Sequence, residues 1–76
     1  MAKFTKTYTV ELNDKQREAL NSAFKILAEY FVNDRGDDVE VKVEQFDEKR
    51  IIAGLIVNGV IFDTKLIGSR GGIRTI

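Results

Sequence analysis

The 76-residue chain contains no cysteine, no histidine, no proline and no tryptophan. Without cysteine there can be no disulfide and no thiolate metal site. Without histidine the commonest metal ligand and the commonest general base are gone. No metal and no cofactor are therefore expected. Nothing repetitive or linker-like divides the sequence, which predicts a single compact domain over residues 1–76. A core of this size supplies only about 3–5 kcal/mol of net stability unless something reinforces it. With disulfides and metals excluded, the reinforcement must be close packing or association, so a homo-oligomer is expected. No apolar run approaches the ~20 residues that span a bilayer, and the first residues hold no leader-like apolar segment. These absences predict a cytoplasmic protein without a membrane partner.

Charge is balanced overall, with 12 Lys and Arg against 12 Asp and Glu. It is not evenly spread. Residues 34–48 carry seven acids (Asp34, Asp37, Asp38, Glu40, Glu44, Asp47, Glu48) against Arg35 and Lys42. Residues 49–76 carry Lys49, Arg50, Lys65, Arg70 and Arg74 against Asp63. A chain with no net positive charge is a poor general binder of duplex DNA. A polarised one can still dock through complementary patches.

"KFTKTYTVEL" alternates, placing Phe4, Tyr8, Val10 and Leu12 on one side and Thr5, Thr7, Thr9 and Glu11 on the other. That is a half-buried strand. Asn13 followed by Gln16 has the spacing of a capping box, and Asp14 suits the first turn of a helix. The helix is predicted to run to about Val32. Its apolar stripe is Leu20, Ala23, Phe24, Leu27 and Phe31, flanked by Ala19, Ile26 and Tyr30. Gly36 in "NDRGDD" supplies the stop. "VEVKVEQF" alternates again, with Val39, Val41 and Val43 inward, and "IIAGLIV" is continuously apolar like a central strand. Asn58–Gly59 predicts a two-residue hairpin.

Counting back from that turn pairs Val57 with Val60, Leu55 with Phe62, Ala53 with Thr64 and Ile51 with Leu66 on one face. Ile56 with Ile61, Gly54 with Asp63 and Ile52 with Lys65 fall on the other. For Val41 and Val43 to share the first face with Val57 and Leu55, the "DEKR" connection needs an odd length or a bulge, and a three- or five-residue loop is expected. "GSRGGIRTI" reads as a glycine bend over 68–72 feeding a short strand with Ile73 and Ile76. Geometry would allow that strand to lie between strand four and the N-terminal strand. The fold class is α+β: β-α-β-β-β, with a possible further strand. One helix packs on one face of a mostly antiparallel sheet.

One helix shields one side. On the other side this register gathers Phe46, Ile52, Ile56, Ile61 and Ile67. Each gains about 1.5–3 kcal/mol on full burial, so the cluster predicts an interface, with Ile73 and Ile76 contributing from the last strand; the alternatives are a C-terminal segment folded back over it or a register other than this one.

Candidate chemistry is sparse. Ser22 and Ser69 have no histidine to activate them. Asp37–Asp38 and Asp47–Glu48 fall in predicted turns, where nothing separates their pKa values. "NDRGDDVE" fails as a calcium loop because Arg35 stands at a ligand position. "RGD", Arg35–Asp37, is a chance-level tripeptide. "KTYTVELNDKQREAL" resembles the opening of ribbon-helix-helix DNA binders, in which paired strands read the major groove. The resemblance would put Lys6, Thr7 and Thr9 at the reading positions. It covers the first third of the chain; the family then needs a second helix, where this sequence gives strands.

The glycine loop with Lys65, Arg70 and Arg74 has the charge for a phosphate or nucleic-acid site, but no helix follows it to supply the usual field. Two readings result. The first is a non-enzymatic interaction protein, of the inhibitor type that phages encode. It would act on a protein partner through its apolar sheet face or its acidic edge, as a homo-oligomer. The alternative is a nucleic-acid or phosphate binder using the basic C-terminal half.

Overall fold

A computed structural model describes residues 2–75. Ile76, expected in the last strand, lies outside the described residues. The elements run β1 (Phe4–Tyr8), α1 (Asp14–Glu29), a π-turn (Tyr30–Asp34), β2 (Val39–Gln45), β3 (Arg50–Val57), β4 (Val60–Gly68) and β5 (Ile73–Thr75). The described strands form one mixed sheet in the order β1-β2-β3-β4-β5. β1 is parallel to β2 and the remaining pairs are antiparallel. The α+β class and its element order are as the sequence indicates.

Local chemistry explains the boundaries. The Asn13 side chain accepts from the Gln16 N–H at 2.8 Å, and the Gln16 side chain accepts from the Asn13 N–H at 3.1 Å. This reciprocal cap starts α1 at Asp14. At the other end the helix widens into the π-turn, where the Arg35 N–H donates to the Tyr30 carbonyl. Gly36, at φ +71°, then ends it, and the Asp37 N–H closes onto the Phe31 carbonyl at 2.8 Å. Asn58 and Gly59 both take positive φ, 50° and 81°, as a two-residue hairpin with right-handed twist demands. Five residues, 46–50, separate the paired Gln45 and Ile51. The connection is thus odd, and Val39, Val41 and Val43 share the helix-facing side with Ile51, Ala53 and Leu55.

The core lies between that side and α1. Leu20, Phe24, Ala28, Val43, Ala53, Leu55 and Ile67 are buried in it. Ile26, placed at the flank of the apolar stripe, points to solvent and is 80% exposed. Lys6 shares the helix-facing side of β1 with Phe4 and Tyr8, since they register against Val41, Val39 and Val43.

The β3–β4 ladder departs from the register counted from the turn. It holds for Val57–Val60 and Ile56–Ile61, then shifts, so that Leu55 pairs with Asp63 and Phe62 is the extra residue of a β-bulge. Beyond it every pair moves by one. Gly54 meets Thr64, Ala53 meets Lys65, Ile52 meets Leu66 and Ile51 meets Ile67. Because side chains alternate with a period of two, the shift exchanges the faces of all later residues. Ile67, expected on the open face, is therefore wholly buried in the core. Leu66, expected in the core, lies on the open face instead. Phe62 stays on the helix side and meets Phe31 edge-on, ring centroids 5.0 Å apart.

β5 also differs from expectation in its place. It pairs with β4 through Ile67–Ile73, Leu66–Arg74 and Lys65–Thr75 and forms one edge, while β1 forms the other. The two terminal strands are at opposite ends of the sheet.

Candidate docking face and cationic groove

The side of the sheet away from α1 carries an apolar stripe of Ile52, Ile56, Ile61 and Leu66 across β3 and β4. Gly54 leaves a shallow depression among them, because it presents no side chain opposite Thr64. Ile61 is 65% exposed and Phe46, at the end of the same face, 51%. The Arg50 guanidinium sits over the Phe46 ring at 5.3 Å. Of the residues expected to form an interface, Phe46, Ile52, Ile56 and Ile61 thus come together. Ile67 does not, and Ile73 lies on the helix-facing side of the β5 edge beside Ile67. Leu66 takes the place of Ile67; only the bulge reveals it.

The stripe is flanked by opposite charges. On the β1–β2 side are Thr5, Thr7, Glu40, Lys42 and Glu44. Thr7 donates to Glu40 at 2.7 Å, and Lys42 pairs with Glu44 at 3.3 Å. On the β4–β5 side is Arg74, next to Leu66. The molecule exposes 5231 Å², about a tenth more than the roughly 4,700 Å² of an average monomer of its 8.6 kDa mass.

Where β5 leaves the bend, a groove forms among Lys49, Arg50, Arg70 and Arg74, with Asp47, Leu66 and Ile73 also lining it. Arg50 is neutralised: Asp47 accepts from its Nε at 2.7 Å. Lys65, expected with Arg70 and Arg74, is turned by the bulge to the helix-facing side. There it pairs with Asp63 at 3.4 Å and donates to the Thr75 hydroxyl at 3.1 Å. Lys49 stands in its place.

The glycine bend itself is used internally. The Gly68 N–H donates to the Gly72 carbonyl at 2.8 Å and the Gly71 N–H to the Gly68 carbonyl at 2.9 Å. Asn13 Nδ2 donates to the Ser69 carbonyl at 2.9 Å, tying the bend to the start of α1.

The paired carboxylates serve turns. Asp47 accepts from the backbone N–H groups of Lys49 and Arg50 as well as from the Arg50 side chain. The Arg50 hydrogen bond, then the Lys49 N–H, holds its carboxyl below the ordinary range. Asp37 is lowered by the Asn58 amide and then by Arg35. Asp38 accepts from the Lys3 N–H at 2.9 Å, which anchors the start of β1. Among the described residues no three acidic side chains are gathered as a metal cage would require, and no helix is long and apolar enough to cross a membrane. Compared with protein-family models, curated proteins and solved structures, the chain matches none of them.

Proposed function

We propose that this chain is a non-enzymatic interaction protein that works as a homodimer, joined through the open side of its sheet. The observation that carries the reading is the stripe of Ile52, Ile56, Ile61 and Leu66, left bare by α1 and flanked by charges of opposite sign. A two-fold axis running along β3 lays the β1–β2 side of one protomer over the β4–β5 side of the other. Glu44, level with Arg74 through the Ile52–Leu66 pairing, then approaches the side that carries it, and the isoleucines meet at the centre. Aligned stacking of two sheets has this layout. The absence of histidine and cysteine, and the use of Asp37, Asp38 and Asp47 in turns, support a binding role over a catalytic one. In such a dimer both helices face outward, free for a further protein partner.

Sedimentation equilibrium tests this. The wild type is expected to be a dimer at micromolar concentration, and Ile56→Lys or Ile61→Lys to be a monomer with its helical signal intact. A wild type that stays monomeric up to ~100 µM overturns the reading.

The groove among Lys49, Arg70 and Arg74 favours a second reading, a site for a polyanion. Few cations converge there, so duplex DNA is expected not to bind at physiological salt. Sub-micromolar binding of an oligonucleotide that weakens steeply as salt rises, and is lost in Arg74→Ala, would put this reading first.

A further inference from the structure

β1 is an edge strand whose outer side has no neighbour among the described residues. Its pairing with β2 fixes which backbone groups remain open. The Val39 N–H donates to the Lys3 carbonyl and the Thr9 N–H donates to the Val43 carbonyl. In a parallel ladder alternate residues point their N–H and C=O groups to the same neighbour. Lys3, Thr5, Thr7 and Thr9 are therefore committed to β2. Phe4, Lys6 and Tyr8 turn theirs outward. The side chains of those same three residues face the helix side of the sheet. α1 packs over β3 and β4, so β1 stands beyond its cover. Between them runs a groove lined by Phe4, Lys6, Tyr8, Leu20, Phe24 and Val41. An open ladder beside an apolar groove is the arrangement by which sheets accept an added strand.

A second copy of β1 does not suit this edge. In the full-length antiparallel register Phe4 would face Tyr8 of the copy, and Lys6 would face its own counterpart. Like charges directly opposite one another destabilise a pair, and an edge lysine is a common guard against self-pairing. What Lys6 repels in a copy, it attracts in a strand with an acid at that position. Lys25 lines the same groove and adds positive charge, with Glu29 alone against the two lysines. We infer that the β1 edge binds an extended peptide that adds as an antiparallel sixth strand. An acidic residue lies opposite Lys6, and β-branched apolar residues lie opposite Phe4 and Tyr8, over the groove. This surface is separate from the open sheet face, and the inference stands whether or not the chain dimerises.

Two end-capped peptides, TVTETVT and TVTKTVT, serve as probes, titrated to millimolar concentration into the ¹⁵N-labelled full chain. The acidic peptide is expected to shift the amide signals of Phe4, Lys6 and Tyr8 and to slow their hydrogen exchange, leaving Thr5 and Thr7 little changed. The lysine peptide is expected to bind roughly five- to tenfold more weakly, the usual spread between opposed and like-charged cross-strand pairs. Lys6→Glu, at an exposed position, is expected to reverse that preference. The Ile56→Lys variant is expected to bind the acidic peptide as the wild type does, which keeps this test apart from that of dimerisation. Absence of any shift at the three outward amides, equal binding of the two peptides, or an unchanged preference in Lys6→Glu overturns the inference.

Discussion

Gly71 joins the C-terminal segment to the helix. Its φ of +86° is open to glycine and costly for other residues. A Cβ at this position would also stand 2.9 Å from the Lys15 carbonyl oxygen, which is backbone of the first helical turn and cannot step aside cheaply. Gly36 has a similar φ, +71°, but nothing lies within 4 Å of where its Cβ would be. The two substitutions therefore separate strain from collision. Gly36→Ala is expected to cost about 1 kcal/mol, and Gly71→Ala about 2–3 kcal/mol. For a domain of this size 1 kcal/mol corresponds to about 4–8 °C in melting temperature. Thermal denaturation followed by circular dichroism checks the order. Equal losses would mean that the bend moves freely relative to α1.

At the scale of elements, what could be read from the sequence was whatever one segment decides for itself. Asn13 with Gln16 sets the start of α1, Asn58–Gly59 sets the hairpin, and Gly36 sets the stop. Each works through residues within a few positions of one another. The odd length of the 46–50 connection was one of two ways, a bulge being the other, for Val41 and Val43 to share the face of Leu55. The bulge at Phe62 did not follow, because Phe62 lies on the helix side whether or not the ladder is interrupted after it. Only the residues beyond it reveal the change, through Ile67 in the core and Leu66 outside. The same shift moved Lys65 away from Arg70 and Arg74. Strand order was equally hidden: either sheet edge offers unpaired backbone to a four-residue tail, and "IRTI" carries no signal to choose between them. Ile56 and Ile61 could be grouped because they pair before the bulge, and Ile52 and Phe46 because they lie on β3 and in the β2–β3 connection, which a shift within β4 does not move.

The whole molecule is 37 Å in its long dimension, and a carboxylate secures each end of β2. At one end Asp37 holds Arg35 and the Asn58 side chain, so the end of the helix and the β3–β4 turn meet at one carboxylate. At the other, Asp47 holds Arg50 and the backbone of the β2–β3 connection. Both carboxyls titrate below their ordinary value in the folded chain. A group whose folded pKa is depressed contributes stability that is complete above its unfolded pKa, about 3.9 for aspartate, and lost as pH falls through the folded value. With no histidine, no side chain of ordinary pKa changes charge between about pH 5 and 8. The melting temperature is therefore expected to be level across that range and to fall below about pH 4. Protonation there also leaves 12 cations unopposed, and their mutual repulsion acts in the same direction. Asp47→Asn should lower the melting temperature at pH 7 and flatten the acid limb, since the variant has less to lose on acidification. Because Asp37 and Asp47 lie at opposite ends and share no partner, their losses should add in Asp37→Asn/Asp47→Asn. A transition centred near pH 6, or an acid limb as steep in the double variant as in the wild type, would show that other carboxylates govern the acid response. Additive losses with a flattened limb would place it at the two ends of β2.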